Sequence, residues 1–204
     1  YLLPQPLSGK KIFFVGIKGT GMSALAELFL GMGAVVSGSD TEEVFYTDQI
    51  LKELGIKYTE KFSASNIDAD CALVIHSSAY SKEANPDLME AVRRKIPLLE
   101  YTQALGAYSS LTRSCGIAGV HGKTTTTGLT GTILREMGLP VSVLAGSAIS
   151  NFNGKSTFSA GKEFFVAETC EYKRHFLSFS PEIIAVTGIE ADHLDYFSGY
   201  EDIY

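Results

Sequence analysis

The sequence predicts an α/β protein built as two successive parallel-sheet units, and three observations carry that expectation. A short apolar run, a glycine-rich turn and a helix-length stretch follow one another twice, first from Lys11 and again from Arg113. Further short apolar runs alternate with helix-length segments between and after these two points. At 204 residues, 45% hydrophobic and 20% charged, the chain has the composition of a soluble globular protein with a core in each unit.

Lys11–Val15 reads as a buried strand because it is almost continuously apolar, and the glycine loop Gly16 to Ser23 leads from it into an Ala- and Leu-rich helix reaching about Met32. Residues 34–37 give the next strand, ending in Gly38-Ser39-Asp40. A helix is expected over 44–54, stopped by Gly55. Residues 71–75 form a buried strand that runs into the polar turn His76-Ser77-Ser78-Ala79, at the strand end where open α/β sheets place ligands. Asn85-Pro86 opens a helix to about Arg94, with the proline in the first turn. A strand over 96–99 and a short helix over 101–108 complete the first series.

The small polar stretch Ser109 to Thr112 marks a boundary, giving domains 1–108 and 109–204. Beyond it lie a strand centred on Ile117, a helix over 128–137, and strands over 141–144, 164–167 and 183–186, read as the second of two successive parallel α/β units.

A net charge of -6 and an isoelectric point near 5.2 argue against nucleic acid as a partner, while a small anion needs only a local basic site. Cys71, Cys115 and Cys170 are few and widely spaced, which fits buried free thiols in a reducing, cytoplasmic setting. No apolar run is long enough to cross a membrane and no signal peptide is visible at Tyr1. The missing initiator methionine and the unmarked end at Tyr204 lead us to expect that both ends are cuts.

Two loops carry chemistry. Gly119-Val120-His121-Gly122-Lys123-Thr124-Thr125 lies between a strand and a helix, so that backbone N–H groups and the helix N-terminus converge on an anion. Lys123 would reach outer phosphates and the Thr124 hydroxyl a magnesium ion. The longest form of this motif has glycine where Ile117 stands, so a plain threonine-capped turn is the competing reading. Gly16, Gly19 and Gly21 are spaced Gly-x-x-Gly-x-Gly, which differs from the NAD fingerprint and favours another pyrophosphate. Asp40, at a strand end, can accept a ribose hydroxyl. His76 alone is more often a packed histidine than a catalyst. Glu168 ends one strand, and His193 lies within the acidic run Glu190 to Asp195 after another. Carboxylates and a histidine beside a phosphate loop suit a magnesium–nucleotide site, although an acidic run is also what an exposed turn looks like.

Together, Gly16-Ile-Lys-Gly-Thr-Gly-Met-Ser23, Ser77-Ser78-Ala79, His121-Gly-Lys-Thr-Thr-Thr126 and Ile189-Glu-Ala-Asp-His-Leu-Asp195 resemble the Mur ligases over nearly the whole chain. The resemblance implies a Rossmann-like parallel-sheet domain for a UDP-sugar, followed by the first part of a P-loop α/β ATPase domain. It implies that Gly19, Thr20, Gly21, Met22 and Ser23 hold the UDP pyrophosphate, with Gly16 and Lys18 in the same site. Asp40, His76, Ser77 and Ser78 would line the uridine side. Gly119, Val120, His121, Gly122, Lys123, Thr124 and Thr125 would bind ATP phosphates, and Thr124, Glu168 and His193 would hold Mg2+.

Lys123, Glu168 and His193 would be the catalytic groups, and no protein nucleophile is needed. The implied reaction joins L-alanine to UDP-N-acetylmuramate through an acyl phosphate. A close relative adds a recycled tripeptide instead, and a non-catalytic UDP-sugar-binding role is a third possibility. The resemblance is looser at Glu168-Thr-Cys-Glu-Tyr-Lys173, where many of these ligases carry a longer acidic run, and at Val120, which replaces a frequent threonine. The 204-residue chain by itself is expected to bind UDP-N-acetylmuramate without completing ligation.

Overall fold

The computed structural model describes residues 3–169 and 179–189. The chain divides into two units, Tyr1–Ala104 and Leu105–Tyr204. The division falls inside a helix, a few residues before the boundary expected after residue 108.

In the first unit the order is β1 (Lys11–Val15), α1 (Thr20–Gly31), β2 (Val35–Ser39), α2 (Thr47–Glu53), β3 (Lys57–Thr59), β4 (Cys71–His76), α3 (Pro86–Arg93) and β5 (Leu98–Glu100). These strands form one parallel sheet in the order β3-β2-β1-β4-β5. β1 is central and covered on both faces, which is why its apolar residues do not alternate with polar ones. Phe14 meets Phe29 of α1 edge-on at 5.9 Å, whereas Phe13 and Val15 pack with Val74, Leu88 and Ala91 on the α3 side. From β1 the chain crosses to β2 on one side and later to β4 on the other. The ends of β1 and β4 therefore meet at a topological switch point, with Val15 opposite both Ser39 and His76.

α4 (Tyr101–Ser109) carries the boundary, and the second unit continues with β6 (Arg113–Ala118), α5 (Lys123–Glu136), β7 (Val141–Ile149), β8 (Lys155–Ser159), β9 (Phe164–Glu168) and β10 (Ile183–Val186). Its sheet order is β10-β6-β9-β7-β8. All neighbours are parallel except β7 and β8, so the wholly parallel reading of this half needs correction. The reversal from β7 to β8 uses Asn153 and Gly154, both with positive φ (57° and 75°).

α5 starts at Lys123 rather than at residue 128 and covers the whole threonine run. It also lies tight on the sheet: a Cβ on Gly131 would stand 2.6 Å from Val143, and one on Gly128 would stand 2.8 Å from Ile149. Ile117, Val141, Val143, Phe152 and Val166 form the core beneath it. Cys71 and Cys115 are free and half-buried rather than fully buried, and burial pushes both thiols up. Cys170 lies outside the described residues.

Candidate functional site

In the first unit, Gly16 turns out of β1 with φ of 83° and donates its N–H to the Ser39 carbonyl at 2.8 Å. Gly19 closes the turn onto the Gly16 carbonyl at 3.2 Å, and α1 begins directly after it. No side chain caps α1, whereas Asn85 caps α3 with hydrogen bonds to the Asp87 and Leu88 amides. An uncapped helix start beside a glycine turn leaves backbone N–H groups for an anion. A Cβ on Gly16 would lie 2.7 Å from the Tyr80 ring, and one on Gly21 would lie 2.9 Å from Tyr101. Gly16 needs to be glycine for both its positive φ and the ring above it, whereas a side chain at Gly21 would press on the far end of Tyr101. Gly19, Thr20, Gly21 and Ser77 are half-buried and Ser78 is exposed, so this part of the expected site is gathered at one sheet end.

Other expected ligands serve the fold in this conformation. Lys18 is fully buried, and its ammonium group donates to Glu60 at 2.7 Å and the Glu43 carbonyl at 3.0 Å, with Asp48 at 3.3 Å. Its Nζ also stands 5.3 Å over the Tyr58 ring, so the side chain points into an acidic and aromatic nest and not into the glycine loop. The Lys18 N–H donates to Asp40 at 2.7 Å, and the Thr47 hydroxyl donates to the Lys18 carbonyl. Asp40 is 3% exposed and also accepts from the Thr41 amide and the Tyr80 hydroxyl. It therefore braces the loop, and a ribose hydroxyl has no access to it in this state. Met22, Ser23 and His76 are buried as well; Ser23 donates to the Thr20 carbonyl and the His76 Nδ1 lies 3.1 Å from the Ser77 carbonyl.

The brace leaves a titration signature. Burial, then the hydrogen bond and charge of Asp48, push the Tyr58 phenol up to about 12; burial, then the charge and hydrogen bond of Asp40, do the same for Tyr80. Burial tends to lower the Lys18 pKa, but its hydrogen bonds with Glu60 and Asp48 outweigh that and leave it raised. All three groups have folded values above the unfolded ones. Their contribution to stability is thus present below pH about 10 and is lost as pH climbs through the folded values. Ultraviolet titration should show late-ionising phenols, including Tyr108, which is also raised to about 12 by burial. Tyr58→Phe and Tyr80→Phe should each remove one of them. A titration complete by pH about 10.5 would contradict this picture.

The second loop is the more complete. Gly119 and Gly122 adopt φ of 123° and 78°, and Thr187, after β10, leaves no room for a side chain at Gly119. The Thr187 hydroxyl donates to the carbonyls of Ala118 at 3.1 Å and His121 at 2.5 Å, while the Val120 amide donates to the Gly188 carbonyl. No side chain caps α5. Lys123 curls over the loop, with Nζ donating to the carbonyls of Gly119 at 2.5 Å and Val120 at 3.2 Å. β9 runs beside β6 and delivers Glu168 opposite Ile117, where its Oε2 accepts from the Thr124 hydroxyl at 2.7 Å and the Gly146 amide at 2.6 Å. Val120, His121, Gly122, Lys123, Thr124 and Thr125 line, with Glu168, a cavity of about 290 Å³.

His193 and the run Glu190 to Asp195 lie outside the described residues. Among the described residues no group of three or more His, Cys, Asp or Glu could hold a metal. They do bring a hydroxyl and a carboxylate together at the cavity, and two hard oxygens suit Mg2+, which keeps several waters and takes phosphate oxygens as its other ligands.

Residues 11–113 match the family model for the Mur ligase family, catalytic domain, and residues 117–204 match that for the Mur ligase middle domain. The chain belongs to the Mur ligase family. A UDP-N-acetylmuramate--L-alanine ligase from Treponema pallidum (strain Nichols) is 55% identical over 201 residues, covering 98% of this chain and 42% of the relative. One of the same description from Borreliella burgdorferi is 42% identical over 193 residues, or 93% of this chain and 41% of the relative. This Mur ligase chain therefore spans about two fifths of the length of the curated relatives it matches.

Among solved structures, the UDP-N-acetylmuramate-alanine ligase of Thermotoga maritima aligns with TM-score 0.75 at 29% identity, covering 91% of this chain and 43% of that one. The UDP-N-acetylmuramate:L-alanyl-gamma-D-glutamyl-meso-diaminopimelate ligase of Neisseria meningitides aligns with TM-score 0.81 at 27% identity, covering 96% and 65%. As for a membrane, no described helix of this Mur ligase is long and apolar enough to cross one.

Sequence reasoning passed over Tyr80, Thr187 and Gly146. Thr187 and Gly146 each follow a predicted strand on the carboxyl side, the one signal that would have marked them; Tyr80 had only its place beside the Ser77-Ser78 turn.

Proposed function

We propose that the protein acts as an ATP- and Mg2+-dependent carboxylate–amine ligase that joins L-alanine to UDP-N-acetylmuramate. The observation carrying this reading is the Thr124–Glu168 pairing at the mouth of an uncapped phosphate loop, in a chain whose relatives bear that ligase description. The loop Gly119 to Thr125, through the amides that follow Val120, and the Lys123 ammonium would hold the ATP phosphates, and Thr124 and Glu168 would hold the metal, with His193 as a further ligand. Bound Mg2+ supplies positive charge that offsets the negative charge on the phosphates.

The muramoyl carboxylate oxygen attacks the γ-phosphorus and ADP leaves, giving an acyl phosphate. The alanine amine then attacks the acyl carbon, phosphate departs, and the nitrogen gives up a proton. Positioning and charge neutralisation supply the rate, with no covalent bond to the protein. For the sugar nucleotide we assign the uncapped start of α1 with Gly16, Gly19, Thr20 and Gly21 to the pyrophosphate, and Ser77 and Ser78 beside it. Lys18 and Asp40 shape this loop from behind. A cytoplasmic location fits substrates of this kind.

Phosphate release by the full-length gene product, with UDP-N-acetylmuramate, ATP and Mg2+, should require L-alanine over serine, glycine and the tripeptide. Preference for the tripeptide would move the assignment to the recycling ligase, and no release with any of them would refute it. Glu168→Gln should raise the Mg2+ concentration needed for half-maximal turnover by about tenfold or more. An unchanged Mg2+ dependence would make Glu168 a structural residue.

A further inference from the structure

Glu168 is aimed by something other than its own strand. Its Oε2 is held between two donors, the Thr124 hydroxyl at 2.7 Å and the Gly146 backbone N–H at 2.6 Å. The hydroxyl can rotate; the amide cannot. Gly146 sits just past the last β7–β9 pair, Leu144 with Ala167, where β7 leaves its regular register. That position lets its N–H point across to the residue that ends β9.

We infer that Gly146 is a positioning residue for metal binding, setting the direction of the Glu168 carboxylate through its backbone N–H and through its lack of a side chain. The inference rests on the metal role proposed above for Glu168. A Cβ on Gly146 would lie 2.6 Å from Oε1 and 2.7 Å from both Cδ and Oε2 of Glu168, closer than carbon and oxygen approach without a bond. Its three nearest neighbours all belong to that one carboxyl group. Gly146 is exposed and is not among the positive-φ residues, so alanine fits its backbone and disturbs no core. The carboxylate is the far end of a flexible side chain, and it is the part that must move.

Electron paramagnetic resonance of Mn2+ added with ATP to the full-length gene product tests this in four proteins: parent, Gly146→Ala, Glu168→Gln and the double variant. Gly146→Ala should weaken Mn2+ uptake roughly tenfold, as loss of a ligand-orienting contact does, with an unchanged melting temperature and unchanged UDP-N-acetylmuramate affinity. In the Glu168→Gln background it should weaken uptake no further, because the effect passes through that carboxylate. Parent-like uptake by Gly146→Ala, or losses that add in the double variant, would overturn the positioning role alone. A Gly146→Ala protein that loses its fold would also overturn it, since only the carboxylate is required to move. Parent protein that takes up no Mn2+ with ATP would overturn the ligase reading and this role with it.

Discussion

Replacing Lys123 by alanine is expected to lower phosphate release by the full-length gene product roughly a thousandfold. Lys123 is the sole cation of the phosphate loop, and its ammonium group already lies across the loop on the Gly119 and Val120 carbonyls. From there it needs little displacement to meet charge developing on a transferred phosphoryl group. Preorganised donors of this kind contribute about 3–4 kcal/mol each, which is the size of the expected loss. The fold should survive, because α5 keeps its contacts on Val143 and Ile149 through Gly131 and Gly128. UDP-N-acetylmuramate should still bind, as its proposed contacts all lie in the first unit. Calorimetry with the sugar nucleotide and a phosphate-release assay separate the two outcomes. Turnover within about tenfold of the parent would sink the role given to Lys123.

Lys18→Met should destabilise the first unit by about 2 kcal/mol and weaken UDP-sugar binding, although the side chain touches no ligand in our reading. Removal of the cation leaves the Asp48 carboxylate, the Glu43 carbonyl and Glu60 without their shared donor. Full loss of a buried pair costs about 3–5 kcal/mol. Glu60 is 52% exposed and can rehydrate, so the smaller figure applies. Lys18 has a raised pKa, and its contribution should disappear as pH rises through that value. Denaturant midpoints of parent and variant should accordingly differ at neutral pH and converge in strong alkali. Equal midpoints at neutral pH would mean that the cluster holds nothing together.

Lys18 also shows where a sequence misleads. A lysine inside a glycine loop looks like an anion ligand, and partners 25 to 42 residues further on, from Glu43 to Glu60, turn it into a brace. Local pattern sufficed where the signal was strong and the partners close: β1 as a continuous apolar run, α3 with its Asn85 cap and Pro86 start, and β10 within the expected residues. It failed where tertiary contacts decide. Four successive threonines have low helix propensity, so α5 looked as though it began after them. The glycine turn at Gly122 and the packing of Gly128 and Gly131 hold that stretch helical all the same. β8 reads Lys-Ser-Thr-Phe-Ser, too polar to stand out, and it exists because β7 offers an edge. At the phosphate loop the motif itself was legible, but the residues that shape it from other strands, Gly146 and Thr187, carry no motif at all.

That arrangement leads us to expect an order of assembly. Thr124 waits for Glu168, 44 residues later, and His121 waits for Thr187, 66 residues later. Closing such loops costs entropy that is recovered only when the distant strands dock. On a ribosome adding about 5–20 residues per second, the glycine loop of the first unit is expected to be ready while the second is still an unformed pocket. The nascent chain should therefore complete the loop we assign to the sugar nucleotide seconds before the loop we assign to the triphosphate.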